Sequence, residues 1–223
     1  MAEKYGTIPK RFTKEWWSYF WEYYKIHTIV TIVIVIALSV TVYEKVTAPK
    51  YDLTIAYVDS QAIDIEKEEN ARKAFSALTP DVNENGESLL DIYSLCFSLD
   101  NQMDEYTMAM HNKMQLTIAA EEIYLYIIDE AHLIGYAGTK IEDCPFEELS
   151  TWLKGDLKYK RYSVEGEDVA ISLAGNRYLE KLGIDSENKY LCMRYYPRKD
   201  QKDQLKGYKG AIELANNILN NKE

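Results

Sequence analysis

Two polar strings follow apolar segments of the sequence and carry groups that can bind a ligand. Asp59-Ser60 follows the apolar segment that begins at Tyr51, and Asp129-Glu130-Ala131-His132 follows the segment that begins at Glu122. Ligands of open α/β sheets bind beyond the carboxyl ends of the strands, where such carboxylate, hydroxyl and imidazole groups would converge. The predicted ligand-binding site therefore consists of Asp59, Ser60, Asp129 and His132. The plainer interpretation is that each string only caps a following helix.

The string from Asp129 to His132 also matches the DEAH motif, with which a helicase places its magnesium ion and its water-activating acids. That chemistry requires a phosphate-binding GxxxxGK[ST] loop earlier in the chain, and the sequence contains none. The most similar fragment, Gly138-Thr139-Lys140, comes after the string and lacks the pattern. We therefore do not predict ATP hydrolysis.

One loop has some features of a calcium site. Asp81, Asn83, Asn85 and Gly86 match the first half of a calcium-binding loop, in which oxygen ligands alternate and a glycine permits the turn. The twelfth position of such a loop is Ile92 here instead of a bidentate Glu. We favour a turn in which these side chains bond to the backbone.

A second pattern has the residue types of a soft-metal site. Met108, His111 and Met114 follow one another at three-residue intervals, which would suit an ion such as Cu(I) on one helical face. Methionines at helical spacing more often fill a core. We favour the core interpretation, and whether the chain binds any metal stays open at this stage.

Motifs of catalysis are scarce. The sequence has no GxSxG or HExxH string and only three His residues. Cys144 precedes Pro145 at a predicted helix start, where a thiolate would be stabilised, but no His can be named as its partner. We predict that the protein is not an enzyme and needs no cofactor.

The net charge limits the class of binding partner that we expect. The 223 residues have a formal net charge of −10 at pH 7. The first 43 residues carry five Lys or Arg against three Asp or Glu, so the negative charge belongs to the rest of the chain. An acidic domain repels phosphate backbones, and we predict no nucleic-acid partner.

Cys96, Cys144 and Cys192 are predicted to be buried thiols, with a disulfide between two of them as the alternative.

The segment Ile26 to Val42 predicts a membrane anchor. It contains no Asp, Glu, Lys or Arg, and with its aromatic flanks it covers the hydrocarbon core of a bilayer, roughly 30 Å. We predict a transmembrane helix over residues 26–43 and a linker over residues 44–50. Residues 1–25 are rich in Trp, Tyr and Phe, which is typical of an interfacial segment. Docking of this aromatic segment onto another membrane subunit is the sharper alternative.

The flanking charges predict the orientation of this anchor. Four basic residues, Lys10, Arg11, Lys14 and Lys25, precede the span within about 20 residues, and Lys45 and Lys50 follow it. We therefore predict a cytoplasmic amino terminus and an extracellular domain at the cell membrane. Val46-Thr47-Ala48 loosely matches a signal-peptide cleavage site, but the long aromatic region before the span favours a retained signal anchor.

Residues 51–223 alternate between strand and helix patterns. The predicted strands cover residues 51–59, 88–99, 122–129, 168–173 and 190–196. The predicted helices cover 63–78, 100–120 with Asp100 and Asn101 as caps, 145–153, 176–184 and 203–220, and residues 154–168 are predicted to be a loop. Strand-helix-strand order implies right-handed crossovers. We predict an α/β fold with a mostly parallel mixed sheet and helices on both faces.

A family resemblance can be stated for this domain. The strand DLTIAYVD, the passage LTIAAEEIYLYIID and the later segments AISLAGN and YLCMRYY resemble a reduced type 2 periplasmic-binding-protein-like domain over most of residues 51–219. The chain also resembles small membrane-tethered extracytoplasmic proteins of low-GC Gram-positive bacteria. The resemblance implies a two-lobed α/β fold with a cleft at the strand ends.

Two functions follow from these patterns. The first is a membrane-anchored extracytoplasmic domain that binds a small ligand or peptide without catalysis. The second is an accessory or structural subunit of a membrane complex such as a transporter, with no ligand cleft. The expected partners are the lipid bilayer, a membrane protein and a small-molecule or peptide ligand. A receptor needs a concave cleft with converging polar groups, whereas an accessory subunit needs an exposed apolar patch.

Overall fold

The computed structural model of the chain describes residues 9–101, 104–120, 122–155, 158–196 and 202–221. The chain divides into two compact units, Met1–Pro49 and Lys50–Glu223. The second unit contains a single six-stranded sheet. The resemblance implies two lobes, and these would be two compact parts within Lys50–Glu223, which is a single compact unit here.

The described residues of the first unit contain one long helix. Helix α1 spans Lys14–Thr47, which corresponds to a length of about 51 Å. It is long and apolar enough to cross a membrane, and its apolar window is exposed throughout. The helix is longer than the predicted span because the aromatic segment before it is helical too, and because the first residues of the predicted linker add one turn. Thr13 caps its start, with Oγ1 accepting from the backbone N of Trp16 at 3.2 Å.

Hydroxyl side chains do not interrupt this helix. Thr31, Ser39, Thr41 and Thr47 each donate to the carbonyl oxygen four residues earlier, at 2.7–2.9 Å. This is how such residues are accommodated in an apolar segment, because the hydroxyl group then has a partner within its own helix.

The second unit alternates strands and helices. Its strands are β1 Leu53–Asp59, β2 Leu90–Cys96, β3 Leu125–Asp129, β4 Arg161–Val164, β5 Glu167–Ser172 and β6 Lys189–Met193. Its helices are α2 Ile65–Ser76, α3 Glu105–Ala120, α4 Glu130–Ala137, α5 Leu149–Trp152, α6 Arg177–Lys181 and α7 Lys202–Asn220, with short 3₁₀ turns at Leu99–Asn101 and Ile141–Asp143. All five predicted strands have a counterpart.

The sheet is mixed, with the strand order β2-β1-β3-β6-β5-β4. The central strand β1 pairs in parallel with β2 and β3. The pairings β3 with β6, β6 with β5, and β5 with β4 are antiparallel. The predicted α/β class and mixed sheet are therefore confirmed. The prediction of a mostly parallel sheet was wrong, because two pairings, β1 with β2 and β1 with β3, are parallel and the other three are antiparallel.

The prediction of a loop over residues 154–168 was wrong in its second half. Strand β4 lies there and forms a hairpin with β5. Glu165 and Gly166 connect the two strands with φ values of 50° and 93°. Two successive positive φ values are typical of a type I′ turn, whose twist matches that of an antiparallel pair.

The predicted helix over residues 145–153 is shorter in the structure and begins only at Leu149. Phe146 forms an antiparallel bridge with Arg194, and Glu147 donates its backbone N–H to the carbonyl of Met193 at 2.7 Å. The chain is therefore extended beside the end of β6, and the residues after Pro145 cannot adopt helical backbone angles.

Buried residues form two separate hydrophobic clusters. On β1, Ile55 and Tyr57 belong to one cluster, and Ala56 and Val58 belong to the other. The first cluster includes residues of α2, α5, α6 and α7, and the second includes residues of α3 and α4. This separation follows from the strand geometry, because successive side chains point to opposite faces.

Candidate functional site

The structure brings the four predicted ligand-binding residues to one edge of the sheet. Strands β1 and β3 are parallel neighbours, so Asp59 and Asp129 both lie at carboxyl ends. Ser60 donates from its N and its Oγ to Asp129 Oδ2, each at 3.0 Å. His132 is bonded to Asp129 Oδ1 through its backbone N at 2.8 Å and its Nδ1 at 2.7 Å.

Asp129 is the centre of this network. Its side chain caps α4, and both oxygens are engaged by Ser60 and His132. Burial raises the pKa of Asp129, but the hydrogen bonds from His132 and Ser60 together outweigh burial and hold the pKa well below its usual value. The carboxylate is therefore ionised and joins β1 to α4.

Asp59 has a separate set of partners. Its Oδ2 accepts from Tyr57 Oη at 2.8 Å and lies 3.0 Å from Lys189 Nζ. The side chain of Lys189 is 5% exposed and that of Asp59 is 15% exposed, so the lysine is buried and the carboxylate keeps some contact with water. Burial, followed by the charge of Asp59, raises the pKa of Tyr57 well above its usual value. The four predicted residues thus bond mainly within the protein, and a direct role in ligand binding stays a prediction.

His132 connects this network to a neighbouring cavity. The imidazole is fully buried and packs against the Phe97 ring with a centroid distance of 4.5 Å and an interplanar angle of 78°. Its Nε2 has no hydrogen-bond partner among the residues that the structure describes. Phe97 directly follows β2, and its ring lines the cavity. The network therefore holds His132 against Phe97, which lines the cavity.

The cavity lies beyond the carboxyl end of β2, between α3 and α4, and has a volume of about 410 Å³. Its apolar wall consists of Phe97, Leu99, Met108 and Gly135, and its polar wall consists of Thr107, His111, Asn112 and Tyr136. Small-molecule sites range from roughly 300 to 1,000 Å³ and are mostly apolar with a few placed polar groups. The cavity has both properties.

A chain of hydrogen bonds follows the polar wall. Gln115 Nε2 lies 2.9 Å from His111 Nε2, and Tyr136 Oη lies 2.7 Å from His111 Nδ1. With the Gln115 amide in this orientation, its N–H donates, and the neutral imidazole carries its proton on Nδ1 and donates it to Tyr136. The hydroxyl proton of Tyr136 is then available to a ligand. Burial raises the pKa of Tyr136 to about 12, so this hydroxyl keeps its proton at neutral pH.

Gly135 lies in helix α4 at the cavity wall. Apart from the adjacent residues and the backbone of its own helix, a Cβ atom added at this position would meet no atom within 4 Å, and its φ is not in the positive region. Neither packing nor backbone conformation therefore requires glycine, although glycine in a helix interior is about 1 kcal/mol less favourable than alanine. Its effect is to leave the cavity wall without a side chain.

Three further cavities in the second unit differ from this one in charge. They have volumes of about 240, 240 and 450 Å³, and each is lined by at least two carboxylates. The described residues that line the cavity between α3 and α4 include no Asp, Glu, Lys or Arg. The two kinds of cavity would therefore select different ligands.

The loop from Asp81 to Gly86 forms the favoured turn. Asp81 accepts from the backbone N of Asn85 at 3.1 Å and of Gly86 at 2.9 Å. Asn83 accepts from the N of Asn85 at 3.0 Å. These side chains accept hydrogen bonds from backbone N–H groups of their own turn, as we expected for a turn of this kind.

Met108, His111 and Met114 do not share one face of α3. Met114 is fully buried and belongs to a core cluster, whereas Met108 is 47% exposed and lines the cavity with His111. In the part of the chain that the structure describes, no three His, Cys, Asp or Glu side chains converge as metal ligands.

The three cysteines are thiols. Cys192 is fully buried, and Cys96 and Cys144 are half-buried. Burial raises the pKa of each thiol above its usual value, which makes the reactive thiolate less available. The interpretation of the cysteines as buried apolar residues is thus favoured over the disulfide.

Compared with protein-family models, curated proteins and solved structures, the chain matches none of them. The site therefore has to be argued from this chain alone. Sequence reasoning missed Lys189, whose position opposite Asp129 follows from the antiparallel pairing of β6 with β3. It also missed the pair His111 and Tyr136, which are 25 residues apart and meet only because α3 and α4 are neighbours.

Proposed function

We propose that residues 50–223 form a membrane-anchored extracytoplasmic domain that binds a small molecule in the cavity between α3 and α4. The observation that carries this proposal is a cavity of about 410 Å³ at a strand carboxyl end, with Gly135 leaving its wall bare. Ligands of α/β sheets bind at this end of the strands. Asp59, Ser60, Asp129 and His132 serve this site indirectly, by holding Phe97 and the start of α4.

We infer a binding role without catalysis. An acid, base or nucleophile works best with a pKa moved toward the operating pH. The pKa of Tyr136 is instead raised to about 12 by burial, and His111 is bonded on both ring nitrogens to neutral groups. Such groups orient a ligand by hydrogen bonding, as in a solute-binding protein.

The proposal also covers the position of the helices and the orientation of the membrane anchor. We infer that helices cover both faces of the sheet, which the two core clusters with their separate sets of helices support. We infer that α1 is a single retained signal anchor with a cytoplasmic amino terminus, because Lys10, Arg11, Lys14 and Lys25 precede its apolar part. The resemblance to a type 2 periplasmic-binding-protein-like domain is consistent with a ligand site at the strand ends.

The proposed site is tested by filling it. The full chain in lipid nanodiscs is unfolded by heat with a panel of peptides, sugars, amino acids and uncharged ring compounds. We expect at least one compound to raise the unfolding midpoint as its concentration increases. In the variant Gly135→Leu this rise should be lost, since the new side chain occupies the cavity, while the midpoint without compound should not fall.

Lys181→Leu is the matched control, because it places the same side chain at an exposed position of helix α6. It should keep the full response to the compound. A response that survives in Gly135→Leu would contradict binding in this cavity. No response to any compound would contradict the proposed function and favour the accessory subunit of a membrane complex.

A further inference from the structure

The charge of the cavity restricts the charge of its ligand. Its described lining residues include no Asp, Glu, Lys or Arg, and the polar groups among them are a hydroxyl, a phenol, an imidazole and an amide. A charged ligand would lose part of its hydration and find no opposite charge in return, which costs several kcal/mol. The three carboxylate-lined cavities have more acidic than basic lining residues, although Arg161 lines one and Lys113 another, and they would suit cationic ligands better.

The rings of the cavity restrict the shape of its ligand. Phe97 is 3% exposed and presents its ring at the base. His111 and Tyr136 both line the cavity, and their ring centroids lie 5.4 Å apart with the ring planes inclined by 31°. Met108 adds a thioether, which makes favourable contacts with aromatic rings. A flat aromatic ligand gains most from such walls, because ring pairs add to the burial of apolar area.

The hydrogen-bond chain restricts the polar group of the ligand. With the Gln115 amide N–H directed at His111 Nε2, the neutral imidazole donates from Nδ1 to Tyr136, so the chain then ends with the Tyr136 hydroxyl proton. A donor at the end of such a chain needs an acceptor. A carbonyl oxygen or a ring nitrogen of the ligand would be that acceptor.

From these three restrictions we infer that the cavity takes an uncharged aromatic ring compound with a hydrogen-bond acceptor, and that this acceptor receives the Tyr136 hydroxyl proton. The inference rests on the proposed function, since it names the class of ligand for the same site. It adds that charge, rather than size, decides which compounds bind.

The test compares three compounds of the same shape and different charge. Indole-3-acetamide is neutral, indole-3-acetate is an anion and tryptamine is a cation at about pH 7. Their binding to the full chain in nanodiscs is measured by titration calorimetry. We expect the amide to bind at least about tenfold more tightly than either ion, because tenfold corresponds to only about 1.4 kcal/mol of lost solvation.

The outcomes separate this inference from the proposed function. If either ion binds more tightly than indole-3-acetamide and Gly135→Leu abolishes its binding, the inference is overturned and the proposed function stays intact. The inference is also overturned, and the proposed function kept, if none of the three compounds binds but a sugar or a peptide does and Gly135→Leu abolishes that binding. If no compound binds in such a manner, both are overturned.

The hydrogen bond is tested by removing the donor alone. Tyr136→Phe keeps the ring and removes the hydroxyl, and we expect it to weaken binding of indole-3-acetamide roughly three- to tenfold. Tyr162→Phe on the edge strand β4 is the matched control and should leave the affinity unchanged. Unchanged affinity in Tyr136→Phe would show that the acceptor is not held by this hydroxyl, and would overturn that part of the inference.

Discussion

At the scale of single residues, the Asp129 carboxylate is the centre of the hydrogen-bond network beside the cavity. It joins β1 to α4 through Ser60 and His132, and these bonds lower its pKa despite burial. A carboxyl group whose folded pKa is depressed contributes stability above its unfolded pKa, about 4, and this contribution is lost as pH falls through the folded value. The contribution of Asp129 should therefore be complete at neutral pH and decrease in acid.

The variant Asp129→Asn tests this contribution. We expect it to lower the free energy of unfolding by about 2–3 kcal/mol near pH 7, since one acceptor oxygen becomes an NH₂ group and the bonds to the other oxygen lose their charge. Near pH 3 the difference between the variant and the unchanged protein should become smaller. Urea unfolding of the full chain in detergent at the two pH values measures it.

Asp100→Asn is the control for this pair of measurements, because Asp100 is exposed and its replacement should change stability little at either pH. An equal penalty for Asp129→Asn at both pH values would mean that its bonds do not depend on ionisation. The hydrogen-bond account of its low pKa would then be wrong.

At the scale of elements, two glycines have opposite roles. Gly166 lies in the turn between β4 and β5 with φ of 93°, where a side chain meets the backbone. Gly135 lies in α4 with open space at its Cβ position, and there a side chain only restricts the unfolded chain. The same substitution should therefore have opposite signs at the two positions.

Gly166→Ala should destabilise the protein by about 1–2 kcal/mol, and Gly135→Ala should stabilise it by roughly 0.5–1 kcal/mol. Chemical unfolding of the two variants beside the unchanged protein measures both effects. A loss of stability in Gly135→Ala would mean that the helix needs glycine for packing, and the argument that this glycine keeps the cavity open would lose its basis.

At the scale of the whole molecule, the basic residues before the apolar part of α1 predict the side of the membrane on which the second unit lies. An epitope tag added after Glu223 should be removed by a protease supplied to intact cells, because the positive-inside rule places the amino terminus in the cytoplasm. Western blotting of the tag before and after protease treatment measures this.

A tag placed before Met1 is the control and should be digested only after the membrane is permeabilised. The reverse result would place the second unit in the cytoplasm. The ligand would then be a cytoplasmic compound, although the argument for the cavity itself would not change.

The sequence by itself determined the features that depend on neighbours along the chain. An apolar run without charges predicted α1, and apolar segments followed by polar residues predicted β1, β3 and the common edge of Asp59 and Asp129. These features are local, because hydrophobic periodicity and helix capping act over a few residues.

Only the tertiary structure decided which distant residues meet. The antiparallel position of β6 brings Lys189 to Asp59, and the packing of α3 beside α4 brings His111 to Tyr136 and encloses the cavity. Strand order and helix packing depend on how whole elements bury their apolar faces against one another. No periodicity within either segment specifies that choice, so the site emerges only when the elements are assembled.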